Sequence, residues 1–427
     1  MVGVQHISNI MYTRQYVEVS TQTDAVDGRL IDQRVPNNLP KKPKDNSWMF
    51  GNANTEQLVW SLTCDAIPLS ANDIHSEEAA ELICSYSWRQ TEEPTIYVPG
   101  TPPAYTPPDF TAINERNELV DKLIQLPMDV GYHFVDQHAE RVPLQQFEPI
   151  FQSTAVMNPG KRFNKVKTVV NRNSLLILLR FVRNQSSQPF RFDLDIVQDT
   201  LLIGKKVRQA KVYSPTGSYG HSFEEHLTTK DPDLEDANGH HRVLLLDFGG
   251  EPLLIRVEAD ACVWNQEYNP DAPVVVHPDF DPLTCPTGGI DHPSSQRTKV
   301  IIGGRLVPHA QTVEMKSNEK SKPKDQQWFG RMPLCVLGSH KDGWFKAPEM
   351  KEFTEEGRAK WEADYKDSLK KLAWLLKEVR TVVKEQTSEG SAVLVSTGKG
   401  NPLVIYETKK RIDPLPKEIV ERFWDAD

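Results

Sequence analysis

The feature that most limits the fold of this chain is a pair of apolar runs at residues 241–263, HRVLLLDFGGEPLLIRVEADACV. The runs are joined at Gly249-Gly250, and a glycine pair between two apolar runs is typical of a β-hairpin. The second run continues into Glu258 and Asp260, which are two residues apart. Side chains two apart on a strand leave the same face of a sheet. The segment therefore predicts a sheet that presents two carboxylates together, next to buried structure.

Other parts of the chain have weaker patterns. Apolar patterns predict a hairpin at 191–207, strand pairs at 299–316 and 391–408, and a strand with turns at 328–345. Residues 76–88 and 113–125 have helical patterns instead. The apolar part of 161–183 is consistent with either a buried helix or a strand.

The longest helix is predicted at 354–385. Thr354 can cap its start, and Glu355 and Glu356 lie in the first turn, where the helix dipole favours acids. Apolar residues at three- and four-residue spacing form a core-facing stripe, and Gly390 follows the helix. Strands mixed with helices, without a regular βαβ alternation, predict an α+β fold with central mixed β-sheets flanked by helices.

The distribution of polar residues and prolines divides the chain. Residues 1–46 are rich in Asn, Gln, Lys and Pro, which predicts a flexible N-terminal extension. Residues 47–427 are predicted to form a single domain. A Pro-rich loop is expected at 96–109 and a Pro- and Gly-containing insertion at 266–298.

Charge and cysteine usage limit the classes of function. The net charge of −9 argues against a protein that coats nucleic acid non-specifically, although a local basic groove stays possible. The five cysteines are scattered without a CxxC pair, as in an intracellular protein with reduced thiols. No signal peptide and no membrane-length apolar run is found, so we expect a nuclear or cytoplasmic location and no membrane partner.

A second acidic strand is predicted in QTVEMKSNEK, where Glu314 and Lys316 share a face. If it adjoins the strand of Glu258 and Asp260, three carboxylates and an ammonium group meet. Carboxylate oxygens suit Mg²⁺ or Mn²⁺, and two such ions can cleave a phosphodiester. Lys316 would add positive charge near the phosphate, and Gln327 could orient the nucleophile or a phosphate.

The same short patterns recur elsewhere, so ordinary surface charge is a competing interpretation. The competing pairs are Glu349-x-Lys351, Glu407-x-Lys409 and Asp193-x-Asp195. The set of Glu258, Asp260 and Glu314 is favoured because each of these acids follows an apolar run, and a charge near buried structure usually needs a partner or a metal.

Six segments, in one order along the chain, resemble motifs of the DXO family of RNA decapping 5′→3′ exoribonucleases, a branch of the PD-(D/E)XK nucleases. The segments are NRNSLLILL at 171–179, LDIVQDTLLIGKK at 194–206, SYGHSFE at 218–224, VEAD at 257–260, VEMK at 313–316 and QWFGRMPLCVLGSHKDGWF at 327–345. This sequence departs from the family at Asn173, where glycine is usual, and at the permuted pair Tyr219-Gly220. The stretch from Asp260 to Glu314 is also longer than usual.

The resemblance implies a PD-(D/E)XK-like nuclease core and a set of site residues. It assigns to the metal ions, expected to be two, Glu224, Glu258, Asp260, Glu314 and the main-chain carbonyl of Met315. It assigns catalytic roles to Lys316 and Gln327 beside Glu258. Arg172 would contact the RNA backbone, and the basic stretch containing Lys165 and Lys167 fits an RNA path.

The resemblance further implies hydrolysis of faulty RNA 5′ ends, such as triphosphates, incompletely methylated caps or NAD caps, with 5′→3′ trimming as a further step. Two alternatives stay open. One is a weakly or non-catalytic partner that stabilises a separate 5′→3′ exoribonuclease. The other is a DNA nuclease on the same core.

Overall fold

The structure, a computed structural model, describes residues 46–76, 80–213, 217–263 and 297–424. The predicted extension at 1–46 and the predicted insertion at 266–298 lie almost wholly outside these residues. The prediction that 47–427 forms a single domain stays a prediction. No helix in the described part of the chain is both long and apolar enough to cross a membrane.

Strands account for most of the regular structure. Numbered along the chain, they are β1 (Ala53–Leu62), β2 (Glu81–Arg89), β3 (Thr95–Pro99), β4 (Ala104–Tyr105), β5 (Thr111–Ile113), β6 (Leu119–Asp121), β7 (Ile124–Gln125), β8 (Tyr132–Phe134), β9 (Thr168–Asn171), β10 (Phe190–Val197), β11 (Thr200–Lys206), β12 (Lys211–Tyr213), β13 (Thr228–Thr229), β14 (Ala237–Asp247), β15 (Pro252–Ala259), β16 (Ala261–Cys262), β17 (Lys299–Gly303), β18 (Thr312–Lys316), β19 (Leu334–Leu337), β20 (His340–Lys341), β21 (Trp344–Phe345), β22 (Glu349–Glu352), β23 (Ser391–Ser396) and β24 (Leu403–Thr408). The helices are α1 (Gln137–Arg141), α2 (Glu148–Met157), α3 (Arg172–Val182), α4 (Gly220–His226), α5 (Lys324–Gly330), α6 (Glu355–Gln386) and α7 (Lys417–Phe423).

An eleven-stranded sheet lies at the centre, in the order β1-β24-β23-β10-β11-β9-β15-β14-β2-β3-β17. Strand β9 is parallel to β11 and to β15, and β17 is parallel to β3, whereas β10–β11, β14–β15 and β23–β24 are antiparallel. The strand pairs predicted at 191–207, 241–263 and 391–408 are therefore confirmed. The predicted fold class, an α+β fold with central mixed sheets flanked by helices, is also confirmed.

Helices cover both faces of this main sheet. On one face, Leu175 of α3 and Leu376 of α6 share a buried cluster with Ile255 of β15. On the other face, Phe151 of α2 and Phe423 of α7 share a buried cluster with strand side chains. Full burial of one such side chain contributes about 1.5–3 kcal/mol to folding. Packing of the helices therefore stabilises the sheet on both faces.

A second, six-stranded sheet has the order β13-β4-β16-β18-β19-β22. It joins the main sheet at Asp260, because β15 of the main sheet ends at Ala259 and β16 of the second sheet begins at Ala261. Phe223 of α4 packs in one buried cluster with Val313 of β18. The acids predicted from VEAD and VEMK are thus brought to the junction of two sheets.

The long helix predicted at 354–385 is confirmed as α6. The Thr354 hydroxyl accepts a hydrogen bond from the Gly357 backbone N–H at 3.1 Å, which is the expected N-cap. Most of its apolar stripe is buried, with Trp361, Leu372 and Val383 at most 4% exposed.

The helical prediction for 76–88 is wrong, since residues from Glu81 onward form β2 between β14 and β3. The six residues from Ile83 to Trp88 are all buried. Ser85 and Ser87 alternate with Cys84, Tyr86 and Trp88, which is the two-residue period of a strand, whereas the helical pattern came from the Glu and Ala residues at 77–80 that precede it.

The helical prediction for 113–125 is also wrong, since this segment belongs to β5, β6 and β7. The Asn114 side chain accepts hydrogen bonds from the backbone N–H groups of Arg116 and Glu118, both at 2.9 Å. Asn117 has a φ of 61°, which is left-handed. An Asn side chain that bonds nearby backbone groups competes with helix formation and favours a turn.

Two strand predictions are correct only in part. The segment 299–316 contains two strands, but β17 pairs with β3 of the main sheet and β18 pairs with β16 and β19 of the second. The segment 328–345 begins with the end of helix α5 and becomes strand only from Leu334. The first error concerns long-range pairing, which local patterns do not encode, and the second concerns where a helix ends and a strand begins.

Asp195 on β10 leads to a prediction about pH. Burial raises its pKa to about 7, although the Ser391 hydroxyl donates a hydrogen bond to it at 2.7 Å. The folded state therefore keeps a proton that the unfolded chain loses near pH 4, so stability falls as the pH rises from about 4 to 7. We expect Asp195→Asn to raise the free energy of unfolding at pH 8 by about 2 kcal/mol and to change it little at pH 4.

Urea unfolding across pH 4–8 measures this difference. A comparison variant is Asp193→Asn, two residues away on the same face, which removes the carboxylate that accepts from the buried Arg191 guanidinium at 2.8 Å. At pH 8 it should destabilise the protein, because a buried charge loses its partner. The charge of Asp193 also helps to raise the pKa of Asp195, so this variant should weaken the pH dependence without abolishing it. Parallel pH curves for the wild type and Asp195→Asn would contradict the expected proton uptake.

Candidate active site

Four carboxylates and one ammonium group meet at the junction of the two sheets. Glu258 lies near the end of β15, Asp260 lies at the corner between β15 and β16, and Glu314 and Lys316 lie on β18. The Met315 backbone N–H donates a hydrogen bond to the Asp260 carboxylate at 2.7 Å, which ties the corner to β18.

The fourth carboxylate, Glu224, is supplied by α4. The carboxylate of Asp129 accepts hydrogen bonds from the backbone N–H groups of His221 and Ser222 at 3.3 and 2.8 Å, which satisfies the first turn of this helix from a separate loop. The charges of Asp260 and Glu258 act on Glu224, so the helix brings its acid to the same group.

Glu314 is the buried anchor of the site. Its carboxylate accepts a hydrogen bond from Arg172 Nη1 at 2.8 Å and a second from Lys316 Nζ. Burial alone would raise the pKa of Glu314, but Arg172 and Lys316 outweigh burial and hold it below its ordinary value. The attraction of Glu314 and Asp260 likewise raises the pKa of Lys316 despite burial, so its ammonium group stays charged.

Burial and the charge of neighbouring acids raise the pKa values of the other three carboxylates. Burial, then the charge of Asp260, raises the pKa of Glu258 to about 7, and burial, then the charge of Glu314, raises the pKa of Asp260 to about 6. Burial and the same neighbours raise the pKa of Glu224 well above its ordinary value. Like charges held this close favour protonation or a compensating cation.

Water reaches these carboxylates although protein surrounds them. Glu258 is exposed, and Glu224 and Asp260 are half-buried, yet burial is the first cause of the raised pKa of each. A side chain that is both accessible and crowded by protein lies in a concave surface. We call the surface formed by Glu224, Glu258, Asp260 and Lys316, together with the buried Glu314 that Lys316 contacts, the acidic cleft.

The donors of the acidic cleft fit a divalent cation in chemical type, because hard cations such as Mg²⁺ and Mn²⁺ prefer carboxylate oxygens. Among the described residues, however, no three or more His, Cys, Asp and Glu side chains are gathered closely enough to hold a metal ion. Lys316 Nζ is bonded to Glu314 and lies 3.8 Å from Asp260 Oδ2, so its positive charge stands among the carboxylates.

Met315 and Gln327 make other contacts. The main-chain carbonyl of Met315 accepts a hydrogen bond from Lys316 Nζ at 2.9 Å. Gln327 is buried on α5, and its amide N–H groups point to the carbonyls of Met332 and Pro333, both at 3.4 Å. The roles of Met315 as a metal ligand and of Gln327 on water or phosphate stay predictions.

The three residues predicted to bind RNA are not brought together. Arg172 follows the last residue of β9 and is bonded to Glu314. Lys167 precedes the first residue of β9 and is bonded to Asp199, and Lys165 is exposed two residues earlier. The four-residue length of β9 therefore separates the two lysines from Arg172. A role for Lys165 and Lys167 in RNA binding stays a prediction.

Two groups beside Glu258 were not anticipated from the sequence. A Cβ atom at Gly239 would lie 2.9 Å from Gln137 Nε2 and 3.3 Å from Glu258 Oε1, so this glycine lets both side chains approach. His241 lies opposite Glu258 in the β14–β15 register. The strand register identifies His241 and the close approach at Gly239 identifies Gln137, and both need the tertiary structure.

His241 belongs to a buried cluster of aromatic and histidine rings. Its ring lies 5.3 Å from that of Tyr86 and 4.6 Å from that of His138. Burial holds the pKa values of His138, His240 and His241 well below the ordinary range, so these imidazoles are neutral.

Comparisons with known proteins give three findings. The sequence model of a family described as "Domain of unknown function (DUF8563)" matches residues 58–424. No match is found among curated proteins. Solved structures similar to this chain include those of Rai1 and Dxo1 proteins.

The Rai1 structure from S. pombe has a TM-score of 0.49 and 13% identity, covering 81% of this chain and 98% of that one. Candida albicans Rai1 in complex with pU5-Mn²⁺ has a TM-score of 0.44 and 12% identity, covering 85% and 98%. K. lactis Dxo1 in complex with manganese has a TM-score of 0.41 and 8% identity, covering 83% and 96%.

Proposed function

The chain belongs to the DUF8563 family, and we propose that within it this protein is a metal-dependent hydrolase acting on RNA 5′ ends. The observation that carries the proposal is the acidic cleft. The charges of Asp260 and Glu258 help to raise the pKa of Glu224, and the charge of Asp260 helps to raise that of Glu258, in a surface that water reaches. Crowded, partly buried carboxylates are unfavourable in their charged form. A bound cation would offset this cost.

A divalent cation, Mg²⁺ or Mn²⁺ and in our proposal two ions, would polarise a phosphate and lower the pKa of water. The groups proposed to hold it are the carboxylates of Glu224, Glu258, Asp260 and Glu314 and the main-chain carbonyl of Met315. Arg172 holds the Glu314 carboxylate in place through an ion pair of 2.8 Å. Lys316, which is charged and reaches the same cleft, is proposed to attract and orient the phosphate.

The order of the six DXO-like segments supports RNA 5′ ends as the substrate. The proposed substrates are triphosphates, incompletely methylated caps and NAD caps, with 5′→3′ trimming of the exposed RNA as a further step. We also propose an intracellular location, in the nucleus or cytoplasm, which the free thiols of Cys64, Cys84, Cys262 and Cys335 support.

One observation favours a second candidate function. Glu314 is bonded to both Arg172 and Lys316, so these cations already compensate part of the carboxylate charge. A protein whose own cations neutralise the site could bind metal weakly. The second candidate is therefore a weakly or non-catalytic partner that stabilises a 5′→3′ exoribonuclease.

Assaying the purified chain on a panel of 5′ ends separates these candidates. The panel consists of RNAs with a triphosphate, an unmethylated cap, an NAD cap or a monophosphate, together with a DNA duplex. We expect Mn²⁺ to support release of the 5′ group from at least one modified RNA, and EDTA to abolish it. Inactivity on every RNA would contradict the hydrolase and favour the partner. Cleavage of the DNA duplex alone would indicate a DNA nuclease instead.

A further inference from the structure

Strands β8 and β12 form a two-stranded ribbon outside both large sheets. They pair antiparallel, with Tyr132 opposite Tyr213 and Phe134 opposite Lys211. Because side chains alternate along a strand, these four side chains share one face, whereas His133 and Val212 share the other. We call β8 and β12 together the aromatic ribbon.

The first face of the aromatic ribbon is open and carries both rings and charge. Tyr132 is 69% exposed and Tyr213 is 57% exposed, with their ring centroids 5.3 Å apart. Lys211 Nζ lies 5.7 Å from the centroid of the Tyr132 ring and 5.3 Å from that of Phe134. Two exposed aromatic rings beside an ammonium group indicate a binding face rather than packing.

The second face fastens the ribbon to the helix of Glu224. The ring of His133 stacks on that of His221 with centroids 4.2 Å apart and planes 7° apart. His221 lies on α4, and Glu224 follows it by three residues, a rise of about 4.5 Å along the helix. Beyond the other end of β8, Gln137 of α1 and Glu258 both approach Gly239. The ribbon therefore stands at the edge of the acidic cleft.

The chain around β12 is locally basic although the protein is acidic overall. No acid occurs between Asp199 and Glu224, whereas four cations do, namely Lys205, Lys206, Arg208 and Lys211. Arg208 and Lys211 are exposed, and neither forms an ion pair with any carboxylate among the described residues. Exposed cations that no described carboxylate pairs, next to a cluster of acids, favour binding of a polyanion such as a nucleic acid.

We propose that the aromatic ribbon binds the single-stranded RNA that follows the 5′ end held in the acidic cleft. This proposal rests on the proposed function and adds the path of the RNA chain. Tyr132 and Tyr213 stack on unpaired bases, and Lys211 and Arg208 contact phosphates. Single strands fit this surface better than duplexes because only unpaired bases expose their faces to aromatic rings.

Binding is measured in EDTA by fluorescence anisotropy, with a ten-nucleotide oligouridylate carrying a 5′-monophosphate and a 3′-fluorescein. We expect the double variant Tyr132→Ala/Tyr213→Ala to raise the Kd about tenfold or more. Lys211→Gln should raise it several-fold and reduce the dependence of log Kd on log salt concentration by about 0.7. Binding of an RNA duplex of the same length should be insensitive to the tyrosine variant.

Matched controls lie far from the ribbon along the chain. Lys360→Gln removes an exposed charge from α6, and Leu58→Ala removes an exposed apolar side chain from β1. Both should bind the oligonucleotide as the wild type does. All variants should unfold at the same temperature as the wild type, since the exchanged side chains are exposed.

The outcomes separate this proposal from the proposed function. If the enzyme hydrolyses 5′ ends but the tyrosine variant binds the oligonucleotide as tightly as the wild type, the ribbon proposal alone is overturned. If the enzyme is inert with Mn²⁺ but the tyrosine variant loses binding in EDTA, the RNA path stands and the hydrolase does not. If RNA binding is unchanged and the variant instead alters self-association in sedimentation, the face binds a second copy of this chain and the RNA path is wrong.

Discussion

Replacing Glu258 with Gln and Asp260 with Asn together is expected to lower Mn²⁺-dependent hydrolysis of RNA 5′ ends about a thousandfold or more. Both replacements keep the shape of the side chain and remove its negative charge. The amide oxygen that Asp260→Asn introduces can still accept the Met315 N–H, so the corner between the two sheets is retained. Single-turnover release of the 5′ group, at saturating Mn²⁺ and neutral pH, measures the effect.

The same double variant should not be less stable than the wild type. Burial raises the pKa values of both acids, helped by the charge of Asp260 at Glu258 and by that of Glu314 at Asp260, so their ionised forms oppose folding above pH 7. Loss of activity with an unchanged or higher free energy of unfolding at pH 8 therefore points to chemistry, not misfolding.

The control for this variant is Glu349→Gln, which alters the same Glu-x-Lys pattern on an exposed edge strand. Glu349 is 68% exposed and its carboxylate lies 3.0 Å from Lys351 Nζ. Its replacement should leave hydrolysis unchanged. Activity of the double variant within tenfold of the wild type would show that the acidic cleft does not perform the reaction.

Arg172→Met is expected to lower the free energy of unfolding by about 3 kcal/mol. Arg172 and Glu314 are both buried, with side chains 8% and 1% exposed, so removal of the guanidinium leaves a buried carboxylate short of a partner. We expect the lower end of the range for broken buried pairs because Lys316 still compensates Glu314. Urea unfolding at pH 7 measures the change.

A double-mutant cycle tests whether the pair itself is responsible. Arg172→Met/Glu314→Gln should recover part of the lost stability, because no unpaired charge stays buried. The matched control is Arg89→Met, which breaks a 2.6 Å pair with Asp236 whose side chains are 38% and 39% exposed. Pairs exposed to that extent contribute about 0–1 kcal/mol. Equal losses for Arg172→Met and Arg89→Met would contradict the buried-anchor interpretation of Glu314.

Local sequence patterns were sufficient to predict an element where the residues of that element alone specify it. Helix α6 has a cap, an acidic first turn and an apolar stripe, and the β14–β15 hairpin has two apolar runs around a glycine pair. Each of these signals arises within about thirty residues of chain, so the sequence shows it directly. The resemblance to the DXO family also depends on such short segments.

Local patterns failed where burial on both sides decided the structure. The segment 76–88 gave a helical pattern, but its strand β2 lies between β14 and β3 with helix α2 packed over it. Whether a short apolar run becomes strand or helix depends on the neighbours that pair with it. Those neighbours lie far along the chain, as in the pairing of Tyr86 with His241.

The sequence by itself determined which acids follow apolar runs, and it supplied the candidates Glu224, Glu258, Asp260 and Glu314. It did not distinguish Glu314-x-Lys316 from Glu349-x-Lys351 or Glu407-x-Lys409 by pattern. The tertiary structure separates them, because Glu314 is buried against Arg172, whereas Glu349 is exposed and Glu407 binds the Ser388 backbone N–H at 2.6 Å.

Only the tertiary structure also brings the four acids together and sets the aromatic ribbon beside them. The physical reason is that the position of β18 depends on pairing with β16 and β19, and the position of β16 depends on the corner at Asp260. Burial and charge proximity are properties of that arrangement of strands. A two-residue spacing shows which side chains share a face of a strand. Which other side chains lie next to that face depends on how the strands pair into sheets.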